Sequence, residues 1–575
     1  MMGPATGRRD RWITPLIVIV AVTGAYAAIV ALTGGFKVTI VGLRFSSQSW
    51  QRPATVAAFG AIVLAVTARA RIVAASIRLA AALESSRAAG WLPVIAAIWT
   101  LSIGIGFGTF ASGGADSYGY VGQARLLAHG RLTDTIPVSR DYQWPNVEYT
   151  LTPLGFTKGQ SRGEIAPLYP PGLPLLLAPF AAISEKTVYF IVPIFGALLI
   201  WATYRVGALC GDGTAGAWAA MLLALSPTFL YQVVQPMSDV PCAACWLAAL
   251  IAASRGSTRA ATVSGALSSL AILIRPNLAP LAAIVAFLAI ASADRGRVRR
   301  ALWFVAALAP GLVALGWIQT VRYGSPLASG YGTASDVFSL DYVRPNLERY
   351  PRWITTSHTP FIWLSLLAPL WIVRRATNRR LAWTALALAA VVWLAYLPYL
   401  FFQPNEWFYT RFLLPAIPIM IFFAAACALT AVRALPAAWR TPAIASISVL
   451  VGAMSLHYAH TNGVFDIRNQ ERKYPLAGEF VRTRGPANAF VLAAQHSGSI
   501  RYYANRPTLR WDLLSPTRLD EALATFRAQG YEPLLVVDVG EYEQFRERFA
   551  ATGQHAVQQL TPLAVVGDAR VFAFR

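Results

Sequence analysis

The sequence predicts an α-helical polytopic membrane protein with a small α/β domain toward its C-terminal end, and three observations carry that expectation. Hydrophobic residues make up 56% of the 575-residue chain and charged residues only 13%, whereas an ordinary soluble domain carries roughly 25% charged residues. Apolar segments, most of them near the 20 residues or so that cross roughly 30 Å of hydrocarbon, recur from Trp12 to Tyr458. From about Tyr474 the pattern changes to short apolar runs alternating with charged amphipathic stretches, the pattern of a small soluble fold.

About thirteen spans are expected, at 12–33, 53–72, 91–111, 187–206, 214–231, 239–254, 260–274, 278–293, 301–321, 361–373, 381–401, 412–432 and 441–458. The division is therefore a transmembrane domain over 1–458, with long loops at 112–186 and 322–360, and an extracytoplasmic domain over 459–575. The first apolar run has no small-residue cleavage pattern and is expected to remain as a span.

A formal charge of +22 raises the question of a nucleic-acid partner, and the placement of the arginines answers it. They concentrate in alternate loops: Arg8, Arg9 and Arg11; Arg69, Arg71, Arg78 and Arg87; Arg255 and Arg259; Arg295, Arg297, Arg299 and Arg300; Arg374, Arg375, Arg379 and Arg380; Arg433 and Arg440. Cytoplasmic loops of membrane proteins carry such an excess. The charge is topogenic, so no nucleic-acid partner is expected, and the loops 112–186 and 322–360 and the tail face outward.

The four cysteines, Cys210, Cys242, Cys245 and Cys427, all lie outside the tail, which excludes a disulfide framework there. Cys242 and Cys245 form a C-A-A-C inside a predicted span with no second ligand pair, so they are expected to pack as small apolar residues. No cofactor is expected; a divalent metal is left open, since the acids are too scattered to argue for one.

Within 112–186, the segment GEIAPLYPPGLPLLLAPFAAI is too short and too proline-rich for a plain span and is expected to be an interfacial or re-entrant element. In the tail, NAFVLAAQ and EPLLVVDVG read as buried strands. SPTRLDEALATFRAQG and GEYEQFRERFAAT read as helices, and LAVVGDARVFAF as a hairpin around Gly567 and Asp568. No phosphate loop or His/Cys cluster marks the tail as catalytic.

Five charged residues fall at outward ends of spans or in outward loops beside proline, glycine or aromatic residues: Asp116, Glu164, Asp239, Arg275 and Arg411. Simpler roles exist for each. Ser238 and Asp239 before Pro241 also fit an ordinary helix start, Arg411 fits a snorkelling anchor, and Asp116 fits a solvated loop acid. Arg275 stands on the outward side against the charge rule. Together the five outline one outward polar site, whereas His129 and His358 are isolated and expected to be structural.

An enzyme facing outward lacks nucleotide-sugar pools and needs a donor delivered through the membrane, such as a polyprenyl-phosphate sugar. Transfer from it requires a carboxylate to take the acceptor's proton and cations to stabilise the departing phosphate. The motifs GADSYGYVGQARLLAHGRL, PLYPPGLPLLLAPF, LSPTFLYQVVQPMSDVPCAA, LIRPNLAPL, YGSPLASGYG and RFLLPAIP, running in order over roughly residues 90–430, resemble the GT-C superfamily of integral-membrane glycosyltransferases. The resemblance is to the bacterial branch similar to protein O-mannosyltransferases and lipid A aminoarabinose or galacturonic acid transferases.

The resemblance implies a GT-C-like fold in the bacterial cytoplasmic membrane, with the active site facing the periplasm and working among membrane lipids. It implies Asp116 as catalytic base, Asp239 as the acid of the later S-D-x-P-type turn, and Arg411 near the donor phosphate; Arg275, a cation at an outward span end, is a further candidate for that phosphate. Glu164 is retained as a third catalytic candidate. The acceptor is expected to be an extracytoplasmic glycan, lipid or protein. Where relatives often carry a second acid after the first, this chain has Ser117. Rival expectations are a transporter or flippase of lipid-linked saccharides, which usually shows two related halves that this sequence lacks, and a non-catalytic envelope-assembly scaffold.

Overall fold

The computed structural model describes residues 13–33, 36–40, 43–47, 51–67, 86–401 and 406–574. Arg8, Arg9, Arg11, Arg69, Arg71 and Arg78 lie outside them. The architecture is a bundle of apolar helices that carries an α/β domain at one end.

Among the described residues, each of the thirteen expected spans falls largely on helix, but the helices are unequal. Among the described residues, Thr187–Cys210, Arg297–Tyr323, Arg379–Tyr396 and Ala437–Thr461 are long and apolar enough to cross a membrane unbroken. Three further pairs qualify only as bent units. Gly213–Ala224 meets Pro227–Val233 at 63°, Leu340–His358 meets Pro360–Arg375 at 113°, and Trp407–Leu413 meets Ile417–Arg433 at 87°.

The expected spans 214–231 and 412–432 are therefore bent and 361–373 is one arm of a bent pair, because proline lacks the N–H that continues a helix and its ring clashes with the preceding turn. Pro227 and Pro360 sit at the breaks, and Pro415 lies in the third. The expected span 278–293 contracts to Leu281–Ala291, 11 residues or about 17 Å. Arg300 closes that helix end by donating from Nε to the Ala289 carbonyl at 2.9 Å and from Nη2 to the Ile290 carbonyl at 2.7 Å. One arginine assigned to topology thus also satisfies carbonyls that a helix end leaves open.

Small residues bring the bundle backbones together, as is usual where lipid removes the hydrophobic drive between helices. A Cβ on Gly311 would lie 2.0 Å from Ser269 Oγ, so Thr258–Ile274 and Arg297–Tyr323 pack closely only because that position is glycine. The proline-rich segment behaves similarly. It forms the 12-residue helix Gly172–Ile183, and a Cβ on Gly172 would lie 2.3 Å from the Ile274 nitrogen, so this short helix abuts the backbone beside Arg275.

The tail folds as the strand and helix patterns predict, around one five-stranded sheet. Its order is Thr508–Leu509, Ala489–Leu492, Glu532–Asp538, Ala569–Phe574, Leu560–Val566. The first three strands are parallel and the last two antiparallel, with Val491 opposite Leu534 and the closing hairpin turning at Gly567 and Asp568. Helices Leu519–Ala528 and Val539–Ala550 match the expected pair, the second started by a reciprocal cap between Asp538 and Glu541. Helix Lys473–Arg484, the two-residue strand Thr508–Leu509 and the antiparallel hairpin of Phe36–Ile40 with Leu43–Ser47 were not foreseen.

The tail is not a separate bead. Its aromatic core merges with the loop 112–186, where Tyr142 and Trp144 pack edge-on against Phe526. Tyr503 accepts the Ser112 N–H at 2.8 Å. Ser497 Oγ accepts the Leu154 N–H at 3.0 Å.

Candidate active site

Where the bundle, the loop 112–186 and the tail meet, a cavity of about 870 Å³ opens. Four of the five residues singled out from the sequence line it: Asp116, Asp239, Arg275 and Arg411. Glu164 does not. It begins the short strand Glu164–Pro167 and its Oε2 accepts the Ser161 N–H at 3.0 Å, so its carboxylate is engaged in a local turn away from the cavity, a correction to its place among the catalytic candidates.

Asp116 opens the helix Asp116–Ala128 directly after the apolar helix Ser86–Gly106 and its short connector. Arg411 comes from the 3₁₀ turn Trp407–Leu413, where the 87° bend turns the chain across the top of the bundle. Arg411 Nη1 donates to Asp116 Oδ2 at 2.8 Å, and the Tyr169 hydroxyl donates to Asp116 Oδ1. The Asp116 side chain keeps only 25% of its exposure and that of Arg411 15%. Burial by itself would raise the Asp116 carboxyl, but the Arg411 guanidinium, the Tyr169 hydroxyl and the more distant Arg275 outweigh it and hold the group below the usual carboxylate range.

A second ion pair stands beside the first. Arg275 Nη2 donates to Asp239 Oδ1 at 2.6 Å, Nη1 to the Tyr396 hydroxyl at 2.8 Å and Nε to Ser238 Oγ at 3.3 Å. Helix Asp239–Ala253 does start at this point, yet Ser238 makes no side-chain cap; its hydroxyl is shared by Arg275 and Tyr120, the latter at 2.9 Å. Both guanidinium centres lie 5.1 Å from the ring centroid of Phe412, a cation–π arrangement that holds two cations on one aromatic residue.

The two cations differ in what remains free. Arg275 has all three nitrogens engaged, and Asp239, only 1% exposed, neutralises it. Arg411 Nε is buried and, among the described residues, has no hydrogen-bond partner. A buried donor left open costs free energy, and an incoming anion would relieve that cost.

Several lining residues escaped the sequence reading. Tyr169 lies in the PLYPPG motif, where composition alone gives no sign of a site residue, and Phe412 directly follows Arg411. Arg322, 1% exposed, also faces the cavity; its Nε donates to the Leu132 carbonyl at 3.2 Å, and Gln123, with its amide oriented to suit, accepts from both other nitrogens. The tail region contributes Glu471, Tyr474 and Gln495. Among the described residues, no three His, Cys, Asp or Glu side chains converge as a metal site.

Residues 169–317 match the family described as dolichyl-phosphate-mannose-protein mannosyltransferase. No curated protein sequence gives a match. The fold is similar to that of ArnT from Cupriavidus metallidurans bound to undecaprenyl phosphate, with 14% identity, a TM-score of 0.51 and coverage of 85% of this chain and 99% of that one. Apo ArnT gives 15% identity and the same TM-score and coverage. The arabinofuranosyltransferase AftD from Mycobacteria gives 14% identity and a TM-score of 0.50 over 85% of this chain and 42% of AftD. The chain therefore has the fold of the GT-C glycosyltransferases, the superfamily its motifs resemble.

Proposed function

We propose that this protein transfers a sugar from a polyprenyl-phosphate donor to an extracytoplasmic acceptor, with inversion at the anomeric carbon. It works in the bacterial cytoplasmic membrane with the cavity facing outward, and the acceptor is a cell-envelope glycan, lipid or protein. The observation that carries the reading is the Asp116–Arg411 pair at the cavity wall, with Arg411 Nε unpartnered. ArnT of the same fold is bound to undecaprenyl phosphate, and the family matched over 169–317 uses dolichyl-phosphate mannose; both support a lipid-phosphate donor.

The acceptor hydroxyl attacks the anomeric carbon as the bond from that carbon to the phosphate oxygen breaks. The hydroxyl proton passes to Asp116, and the bonding electron pair leaves on the polyprenyl phosphate. Arg411 stabilises that growing charge. Before the donor arrives Arg411 is held by Asp116; a donor phosphate competes for the guanidinium and weakens its grip on the carboxylate, so the base becomes more basic once the donor is bound. Arg275, neutralised by Asp239, adds less charge and serves chiefly to seat Phe412 and the turn after Ile274.

Mass spectrometry of envelope glycans and lipid-linked sugars from cells with and without the gene tests the reading. Loss of one sugar from an acceptor, with accumulation of its lipid-linked donor, is the expected result. An unchanged glycan profile with lipid-linked saccharide held on the cytoplasmic side would instead identify a flippase.

A further inference from the structure

Helix Asp116–Ala128 has two working faces. Asp116, Ser117 and Tyr120 face the reaction cavity, while Tyr118, Gly122, Arg125 and His129, at the helical spacing of one opposite stripe, line a second cavity of about 560 Å³. Its far wall comes from the tail, through Arg501, Tyr502 and Arg506, and its rim from Arg131 and Asp134. Four arginines thus converge on a recess whose lining includes one acid.

Asp134 is divided between two of them, Arg131 at 2.7 Å and Arg501 at 3.0 Å. Arg125 donates to the neutral Tyr502 carbonyl at 3.3 Å, and its one acidic contact among the described residues, with Glu185, is at 3.5 Å with both side chains half exposed or nearly so, a surface pair that holds little. Arg506 Nε is buried with no hydrogen-bond partner among the described residues. The cations therefore exceed their local counter-charge. If the recess lies in outward loops, as proposed above, topology does not account for them, because the arginine excess of membrane proteins belongs to cytoplasmic loops.

Aromatic surface accompanies the charge: the Tyr118, Tyr502, Tyr531 and Phe156 side chains line the same recess, and Arg125 lies 5.2 Å from the Tyr502 ring centroid. Guanidinium forks match carboxylates and phosphates in bidentate geometry, and ring faces stack on the apolar C–H face of a sugar. We infer that this recess, on the back of the Asp116 helix, is a binding site for an anionic carbohydrate, one carrying uronate carboxylates or phosphates. It is separate from the reaction cavity and does not require the transferase reading to be correct.

The test uses the full-length protein in neutral phosphatidylcholine nanodiscs, with fluorescently labelled tetragalacturonate as probe and labelled maltotetraose as the uncharged control. The first should bind, weakening as salt rises, and the second should not. Arg506→Gln and, separately, Arg131→Gln should each raise the tetragalacturonate Kd about tenfold, while retaining the melting temperature and undecaprenyl phosphate binding of the parent. That last measurement reports on Arg411 and keeps failure of the donor reading distinct from failure of this one. Equal binding of both oligosaccharides, or an unchanged Kd in both variants, would overturn the inference. So would loss of tetragalacturonate binding when phosphatidylglycerol is added to the nanodisc, which would make a lipid headgroup the occupant.

Discussion

Asp116 and Arg411 stand 295 residues apart in the chain and 2.8 Å apart in space. The pair fixes both the charge of the acid and the position of the cation, and it makes their substitutions distinguishable. Asp116→Asn keeps the side chain's shape but removes the proton acceptor and the competitor for Arg411. Turnover should fall about a hundredfold or more, while undecaprenyl phosphate binding holds or tightens. Arg411→Ala should weaken that binding about tenfold or more and lower turnover as well. Binding to purified protein in nanodiscs and transfer in membranes report the two effects separately; wild-type turnover in Asp116→Asn removes it as base.

The Arg275–Asp239 pair predicts a stability effect. With Asp239 1% and Arg275 11% exposed, Asp239→Leu leaves a buried cation without its counter-charge and should destabilise by about 3–5 kcal/mol. The double change Asp239→Leu with Arg275→Met should recover most of it. Melting temperatures in detergent check this, and a double variant no more stable than Asp239→Leu would show that the pair is not the source.

Glu471 predicts a pH dependence. It lies just after the last span, lines the reaction cavity, and is pushed up to about 7, chiefly by burial; Lys473 opposes the shift while Asp538 and Asp116 add to it. An acid raised above its unfolded value binds more protons in the folded state, so its contribution is lost as pH rises from about 4.5 toward 7. Glu471→Gln should therefore raise the melting temperature at pH 8 relative to wild type and change it little at pH 4.5. Equal effects at both pH values would dissociate the shift from this residue.

One of the contacts that dock the tail is a close approach to the Asp116 helix. A Cβ on Gly498 would lie 2.2 Å from the Tyr118 ring, so Gly498→Val should lift the tail from the Asp116 helix and open the seam to trypsin. Gly540→Ala, in a helix with nothing within 4 Å of the added carbon, should leave the seam closed and slightly favour folding. Cleavage at equal rates in the two variants would place the docking energy elsewhere.

Hydropathy made the helices legible, and proline made the bends legible in part: LIRPN and RFLLP each mark a point where a cation leaves the bundle axis. Arg275 stood out because it broke the charge rule, and its partner Asp239 because it sat in a turn motif. Glu164 stood beside the same kind of sequence and yet folds into a local turn, since nothing in a single strand's composition says which way its first side chain faces. Glu471, Tyr474 and Gln495 were not legible, because they become part of the cavity only through a contact between distant segments.

That contact also sets a schedule for synthesis. The rings of Tyr142 and Trp144 are covered by Phe526, which the ribosome reaches, at about 5–20 residues per second, on the order of half a minute later. Through that interval every remaining span must be threaded while the segment carrying Asp116 waits without its cover. Glu471, Tyr474 and Gln495 join the cavity wall from the same late-made region, so the cavity is walled on that side only after the bundle has been laid down.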